Sequence, residues 1–442
     1  MEKILLSLFG LSGIMFFIST VYLHTNTLRK MYLINIFMYF YTLLTFPGLL
    51  IFIYQSDIGL SYILDTIIVL ISSYYLFGLT FLSMKIVFKK DILVFNNISL
   101  KYNINKIYFI LLISLPFSFA FFYYTGAYKA ILYAFQGDIL TAYYYRTEAT
   151  NSMVHHGFLY TLTFKYIYPV IGAVSYAKYL QLKESKYFNI FIFSTLLVLI
   201  FNILTLQKYY LVQYLFMLIL VYSIIKNKIQ IKFFLKIFIF IFIFIILLVS
   251  FYVSQDAINI GEIIKNVLNR IFTDNIIGLS RYIDAYKQNF ELLYGTSFSN
   301  PMHILNYDPF PLSKWIYSNY VASEAQINAG VTGSAPTNYI GEVVLNFGYI
   351  GFVIITILIG ILITILNSLT KHIIQAKYKN PISVILVVFV AINIANISNG
   401  VVGTAFSYLT ILSIQNWVII ITILLVSTIS VKRRQINEFR IS

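Results

Sequence analysis

The stretch SQDAINIGEIIKNVLNRIFTDNIIGLSRYIDAYK, Ser254 to Lys287, opens a mostly polar segment that runs on to Gly341 between stretches far too apolar for a soluble protein. It decides the fold, because it is the one place where a sizeable structure outside a membrane can be built. The segment carries Arg270, Arg281, Lys287, His303, Asp308, Lys314 and Glu324, and it runs into Pro336-Thr337-Asn338-Tyr339-Ile340-Gly341-Glu342 at the start of the next apolar run.

The rest of the chain explains why that segment stands out. Of 442 residues, 60% are hydrophobic and 11% charged, and the mean hydropathy is +0.83, a composition that needs a bilayer as solvent. The absence of cysteine removes disulfides, thiolate metal sites, iron–sulfur clusters and a cysteine nucleophile together. The net charge of +15 sits mostly in short clusters between apolar runs, where it reads as a topology signal and not as a nucleic-acid surface. Met1-Glu2-Lys3 lacks a basic leader region and no Ala-x-Ala-type cleavage site follows, so the first apolar run reads as a retained span.

About 20 apolar residues cross a bilayer core, and about eleven runs qualify. They are Ile4 to Leu23, Tyr32 to Tyr54, Tyr62 to Met84, Ile107 to Tyr124, Phe158 to Tyr179, Phe188 to Leu206, Tyr209 to Ile225, Phe233 to Val253, Val343 to Leu366, Ile382 to Ile397 and Tyr408 to Ile429. Only Gln207-Lys208 divides the sixth from the seventh, so one long helix and a tight hairpin both fit. The expected fold is an all-α polytopic membrane protein, a single membrane domain over 1–442 with a large outer loop inserted before the ninth span.

Orientation follows from the basic clusters. Arg29-Lys30, Lys89-Lys90 with Lys101 and Lys106, Lys178 with Lys183 and Lys186, Lys226 with Lys228 and Lys232, Lys371 with Lys377 and Lys379, and Lys432-Arg433-Arg434 fall on alternate, short connections. The positive-inside rule makes these cytoplasmic. The C-terminus is then inside, the N-terminus outside, and two long connections are external: a smaller one over 125–157 and the large one over 254–341.

Within the large loop, Ile263, Ile264, Val267, Leu268, Ile271 and Phe272 recur at helical spacing, which predicts an amphipathic helix on or near the membrane surface. At about 100° per residue, Arg270, Asp274 and Arg281 share one face, provided Gly278 does not break the helix. Two guanidinium groups on one face suit a diphosphate, since each can pair with two phosphate oxygens. Ordinary ion pairs, Arg270 with Asp274 and Arg281 with Asp284, and contacts with lipid head groups fit the same spacing.

Other charges stand alone. Lys208 lies between two apolar runs, as a phosphate-facing cation or as a lysine reaching the interface. Asp65 and Lys165 lie within predicted spans, where ionisable groups draw attention to function. The smaller loop holds Asp138, Tyr143-Tyr144-Tyr145, Arg146, Glu148 and His155-His156; the histidine pair lacks the further ligands a metal site needs. No Walker phosphate loop, His-Glu-x-x-His, Gly-x-Ser-x-Gly or Asp-x-Asp sequence is present.

The exit of the large loop, Ser334-Ala335-Pro336-Thr337-Asn338-Tyr339-Ile340-Gly341-Glu342-Val343-Val344-Leu345-Asn346-Phe347-Gly348-Tyr349-Ile350-Gly351, resembles the end of the long periplasmic loop of Wzy-type oligosaccharide repeat-unit polymerases. In that family the loop closes on Pro, then Gly-Glu, then Asn-Phe-Gly-x-x-Gly entering a span. The span count and the late position of the dominant loop resemble the family as well. Where many members carry an arginine after a Gly-rich turn, this chain has Leu204-Thr205-Leu206-Gln207 before Lys208.

The resemblance implies an enzyme of the bacterial cytoplasmic membrane that joins undecaprenyl-diphosphate-linked oligosaccharides into O-antigen or a related surface polysaccharide on the outer face. It implies no cofactor and no metal. Its partners would be the lipid-linked substrates, membrane lipid, a chain-length regulator and a flippase. Arg146, Lys208, Arg270 and Arg281 are the expected diphosphate contacts. Glu342, Glu324 or His303 could supply the base for the attacking hydroxyl, although a carboxylate at a helix start serves equally as a cap. An O-antigen-type ligase and a transporter of lipid-linked oligosaccharides are the rival readings.

Overall fold

The computed structural model describes residues 1–26, 28, 32–87, 98–138, 141–142, 144–145, 163, 166–204, 208–226, 261, 265, 268–269, 272–298, 306–322, 334–375 and 427–431. In chain order the elements are α1 (Glu2–Thr25), α2 (Leu33–Gln55), α3 (Ser61–Val87), β1 (Ile98–Tyr102), α4 (Ile104–Thr125), α5 (Ala127–Phe135), α6 (Tyr168–Leu182), α7 (Ser185–Leu204), α8 (Lys208–Lys226), α9 (Asp274–Lys287), α10 (Leu312–Ile316), α11 (Tyr339–Gln375) and β2 (Ser427–Val431). They fall into two compact units. One combines Met1–Lys90, Asn259–Ser368 and Asn393–Ile414; the other combines Asp91–Ile258, Leu369–Ile392 and Gln415–Ser442.

Six helices among the described residues are long and apolar enough to cross a membrane: Glu2–Thr25, Leu33–Gln55, Ser61–Val87, Ile104–Thr125, Ser185–Asn202 and Tyr339–Ser368. The predicted spans Phe233 to Val253 and Ile382 to Ile397, and all but the last three residues of Tyr408 to Ile429, lie outside the described residues.

In the first unit α1, α2 and α3 run up, down and up. Lys3 Nζ donates to the Tyr54 carbonyl at 2.9 Å at one end, and Thr25 Oγ1 donates to Asn35 Oδ1 at 3.1 Å at the other. The fully buried Phe17 ring meets Phe37, Tyr41, Tyr74, Phe77 and Phe81 in tilted, edge-on and stacked geometries, which favours close packing of bulky aromatic rings. At the end away from Lys3, Lys85 donates to the Leu23 carbonyl and the Ile34 amide to Asn367 Oδ1. The connections leaving α1 and α3 therefore start from the same end of this unit, as an alternating path demands.

The second unit builds on α4, α6, α7 and α8. Tyr168 and Phe122 stack on Phe201 at 6.1 and 4.7 Å, and Tyr168 and Ser118 share a hydroxyl hydrogen bond of 2.8 Å. Thr195 and Tyr214 are also joined through their hydroxyls at 2.8 Å, although they are 19 residues apart. In one straight helix they would stand about 28 Å apart, so α7 and α8 are two helices packed against each other and not one long helix.

One small part departs from the all-α expectation. β1 and β2 pair antiparallel, with Ile98 opposite Val431 and Tyr102 opposite Ser427. The end of the last predicted span, Ser427 to Ile429, is thus strand, because a short apolar run rich in β-branched residues has no helical periodicity to distinguish the two states.

The larger correction concerns α11, which breaks at Gly348, with φ 67° and ψ −170°. Tyr339 and Thr356 share a hydroxyl hydrogen bond of 2.7 Å across 17 residues, where a straight helix would hold them about 25 Å apart. The chain therefore reverses at Gly348. A first arm, residues 339–347, climbs from beside Phe77 toward the Lys3 end, and a second arm, residues 349–375, returns alongside it. The ninth predicted span, Val343 to Leu366, therefore contains the reversal, with residues 343–347 in the first arm and 349–366 in the second.

Of the residues that predict an amphipathic surface helix, Ile263, Ile264, Val267 and Ile271 lie outside the described residues, and α9 follows them inside the bundle. It buries Ile276, Leu279, Tyr282, Ile283 and Ala285 and packs against α2 and α3. A Cβ on Gly48 of α2 would lie 1.8 Å from the Phe272 carbonyl oxygen just before α9. Gly48 lies about 10 Å inside the Lys3 end of α2 by helical rise. Gly278 does not break α9: a Cβ there would lie 1.6 Å from the Pro336 carbonyl oxygen. Only a glycine lets the two backbones meet, and that contact outweighs its cost of about 1 kcal/mol in a helix.

Candidate functional site

The site residues nearest to one another belong to the first unit, where α9, α10 and the first arm of α11 share a small core. Tyr282, Ala285, Leu312, Ile316, Ala335 and Leu345 form it, with Phe290, Phe310 and Trp315 packed against it. The extended residues before the first arm are tied down by Ser313, whose carbonyl accepts from the Ala335 amide at 3.0 Å and whose hydroxyl donates to the Ala335 carbonyl at 3.1 Å. Burial pushes the Tyr282 hydroxyl far above its ordinary pKa, the hydrogen bond with Ser313 opposes that, and the nearby Glu342 carboxylate adds to it. Tyr282 is therefore a neutral donor, directed at the Ala335 carbonyl at 3.4 Å.

The Gly-Glu and Asn-Phe-Gly residues meet the turn at 293–297. The amides of Leu293 and Tyr294 donate to the carbonyls of Leu345 and Asn346 at 3.1 and 3.0 Å, which satisfies the acceptors a broken helix leaves open. The Asn346 side chain accepts from the Gly295 amide at 2.9 Å and donates to Ser297 Oγ at 2.8 Å and to the Glu342 carbonyl at 2.7 Å. Ser297 in turn donates to Glu342 Oε1 at 3.0 Å. Gly348 holds a backbone conformation that is essentially confined to glycine. The motif thus specifies a pinned reversal.

Asn346→Leu is expected to lower stability by about 2–3 kcal/mol, since it leaves the half-buried Gly295 amide without its acceptor and removes the bonds to Ser297 and to the Glu342 carbonyl. The unfolding midpoint of the purified protein in detergent checks this; a midpoint equal to wild type would remove Asn346 as the pin. Asn346 was legible as part of the motif, whereas nothing in the sequence marks Ser297, 45 residues away from the carboxylate it meets.

Glu342 is 4% exposed and is engaged with Ser297, so it reaches a substrate only if the turn at 293–297 lifts. Arg281 is different. It is half-buried on α9 and makes no ion pair among the described residues. The ion pair with Asp284 that its spacing allows does not form; Asp284 instead accepts from Gln288 Nε2 at 3.2 Å. Lys208 opens α8 in the second unit. Arg146, Arg270, His303 and Glu324 lie outside the described residues, as do Glu148 and His155-His156.

Two further charges take structural partners. Asp65 accepts from Lys287 Nζ at 2.6 Å and from the Tyr349 hydroxyl at 2.9 Å, joining α3, α9 and the second arm of α11. In the smaller loop, the Thr141 side chain and amide hold the exposed Asp138 carboxyl below its usual range. There Tyr145 stacks on Tyr133 at 5.3 Å with Lys129 Nζ 5.1 Å from its ring.

No family model matches the chain, and neither the curated proteins nor the solved structures contain a match. The long apolar helices and their packing define a predominantly helical membrane protein.

Proposed function

We propose that this protein is a membrane glycosyltransferase that joins undecaprenyl-diphosphate-linked oligosaccharide units into a surface polysaccharide on the outer face of the bacterial cytoplasmic membrane. The observation that carries the reading is Arg281, a guanidinium without an ion pair among the described residues, on a helix packed against the re-entrant Gly341–Gly351 motif. A glycosyl transfer from a diphosphate carrier must stabilise the negative charge of the departing diphosphate, and a fixed arginine does this by paired hydrogen bonds. Arg270 is proposed to add to that charge; Arg146 and Lys208, the other contacts the sequence suggests, belong to the second unit. The attacking hydroxyl passes its proton to a carboxylate or histidine, with Glu342, Glu324 and His303 as the candidates. Glu342 serves only with the turn at 293–297 lifted, so the reading rests on the arginine.

A broken helix also suits a carrier, in which half-helix ends face the cargo. Here the carbonyls at the break are already taken by the amides of Leu293 and Tyr294, which favours the enzyme. The glycan banding pattern of a null strain separates the readings. A polymerase null shows single repeat units on the acceptor lipid, a ligase null shows long polymer stranded on its carrier, and a transporter null accumulates donor at the cytoplasmic leaflet. Complementation by the wild-type chain should restore the ladder; a ladder that persists in the null strain would defeat the polymerase reading.

A further inference from the structure

Asp65 has a place in the fold that glycosyl transfer does not use. It stands at one end of a groove of about 500 Å³ lined by Asp65, Ile68, Ser72 and Leu76 of α3 and by Tyr349 and Val353 of the second arm of α11. From Asp65 to Leu76 the groove follows α3 for about 16 Å by helical rise, close to half of the roughly 30 Å hydrocarbon thickness of a bilayer. Its walls are apolar and partly exposed, with Ile68 at 41% and Val353 at 39%. An open apolar groove of that depth between spanning helices is filled by hydrocarbon, since neither water nor a void is stable there.

The polar end selects the head group. Asp65 and Lys287 face each other at 2.6 Å, with the Tyr349 hydroxyl also on the carboxylate, so the mouth presents one anion and one cation and no net charge. A diphosphate would meet the Asp65 carboxylate as a like charge. An anionic phosphoglycerol head group offers Asp65 only neutral hydroxyl donors and no positive charge, and a trimethylammonium group has no N–H to donate. A phosphoethanolamine head group complements both members of the pair.

We propose that this groove binds one acyl chain of a phosphatidylethanolamine, with its ammonium at Asp65 and its phosphate at Lys287, as a lipid site distinct from the diphosphate contacts at Arg281. Because the pair links α3 to α9, the bound head group braces α9 against the bundle. The site does not depend on the proposed glycosyl transfer.

The test uses the purified full-length protein, stripped of lipid in detergent and titrated with dioleoyl phosphatidylethanolamine, phosphatidylcholine or phosphatidylglycerol, with bound lipid counted by native mass spectrometry. Wild type should retain phosphatidylethanolamine about tenfold more tightly than the other two, the value of one charge-assisted hydrogen bond. Asp65→Asn should erase the preference, and Ile68→Trp, at an exposed position that tolerates bulk, should block the groove. Equal retention of the three lipids by wild type, or a preference that survives both substitutions, would overturn the site. So would selective uptake of a polyprenyl diphosphate that Ile68→Trp abolishes.

Discussion

Arg281→Ala is expected to abolish long polymer while single repeat units remain on the acceptor lipid. Removing one donor that stabilises a developing anion typically slows the chemical step by about 10²–10³-fold, and a polymerase slowed that much yields no visible ladder. The fold should survive, because Arg281 has no ion pair to lose among the described residues and alanine is the better helix former. That separates a loss of activity from a loss of protein. Arg281→Lys keeps the charge but not the paired hydrogen bonds, so it should give a short, weak ladder. The measurement is the banding pattern of complemented null cells with variant levels matched by immunoblot. A full-length ladder from Arg281→Ala at normal expression would remove the clamp.

Gly278→Ala is expected to do the opposite, leaving the chemistry untouched and destroying the fold that presents it. The new methyl carbon would sit 1.6 Å from the Pro336 carbonyl oxygen and 2.8 Å from its carbon, and neither backbone has a flexible end to move. The helix must part from the segment before the first arm of α11, which opens the small core of Tyr282, Leu312 and Leu345. A cost of about 3–5 kcal/mol follows, a large share of a typical folding free energy. Ile277→Ala, next to it and 40% exposed, should cost about 1 kcal/mol or less. Yield of monodisperse protein and the unfolding midpoint of the two variants decide this; equal midpoints would show that the close approach does not support the fold.

These two substitutions lie three residues apart on one helix, yet their roles could not be separated from the sequence. The spacing of Arg270, Asp274 and Arg281 places them on one face, but it cannot say whether Arg281 pairs with Asp284. In the fold Asp284 accepts from Gln288 and not from Arg281. The glycine at 278 reads from the sequence as a possible helix break, since its cost is local and visible while the backbone it makes room for is 58 residues away. In the same way Glu342 reads as a base at a membrane entrance until Ser297 and the turn at 293–297 enclose it.

The sequence by itself determined that the chain belongs in a membrane and is built mainly of helices, because the transfer energy of long apolar runs is additive along the chain. It also determined where the large polar insertion falls and that its exit carries a specific motif. The tertiary structure alone decided what the motif does. Gly348 turns a presumed span into two antiparallel arms, held by backbone amides from a turn some fifty residues earlier, and α9 is drawn into the bundle beside them. Hydrogen bonds and close approaches between residues this distant satisfy groups that are open in the local sequence, and only the folded chain shows which partner each one takes.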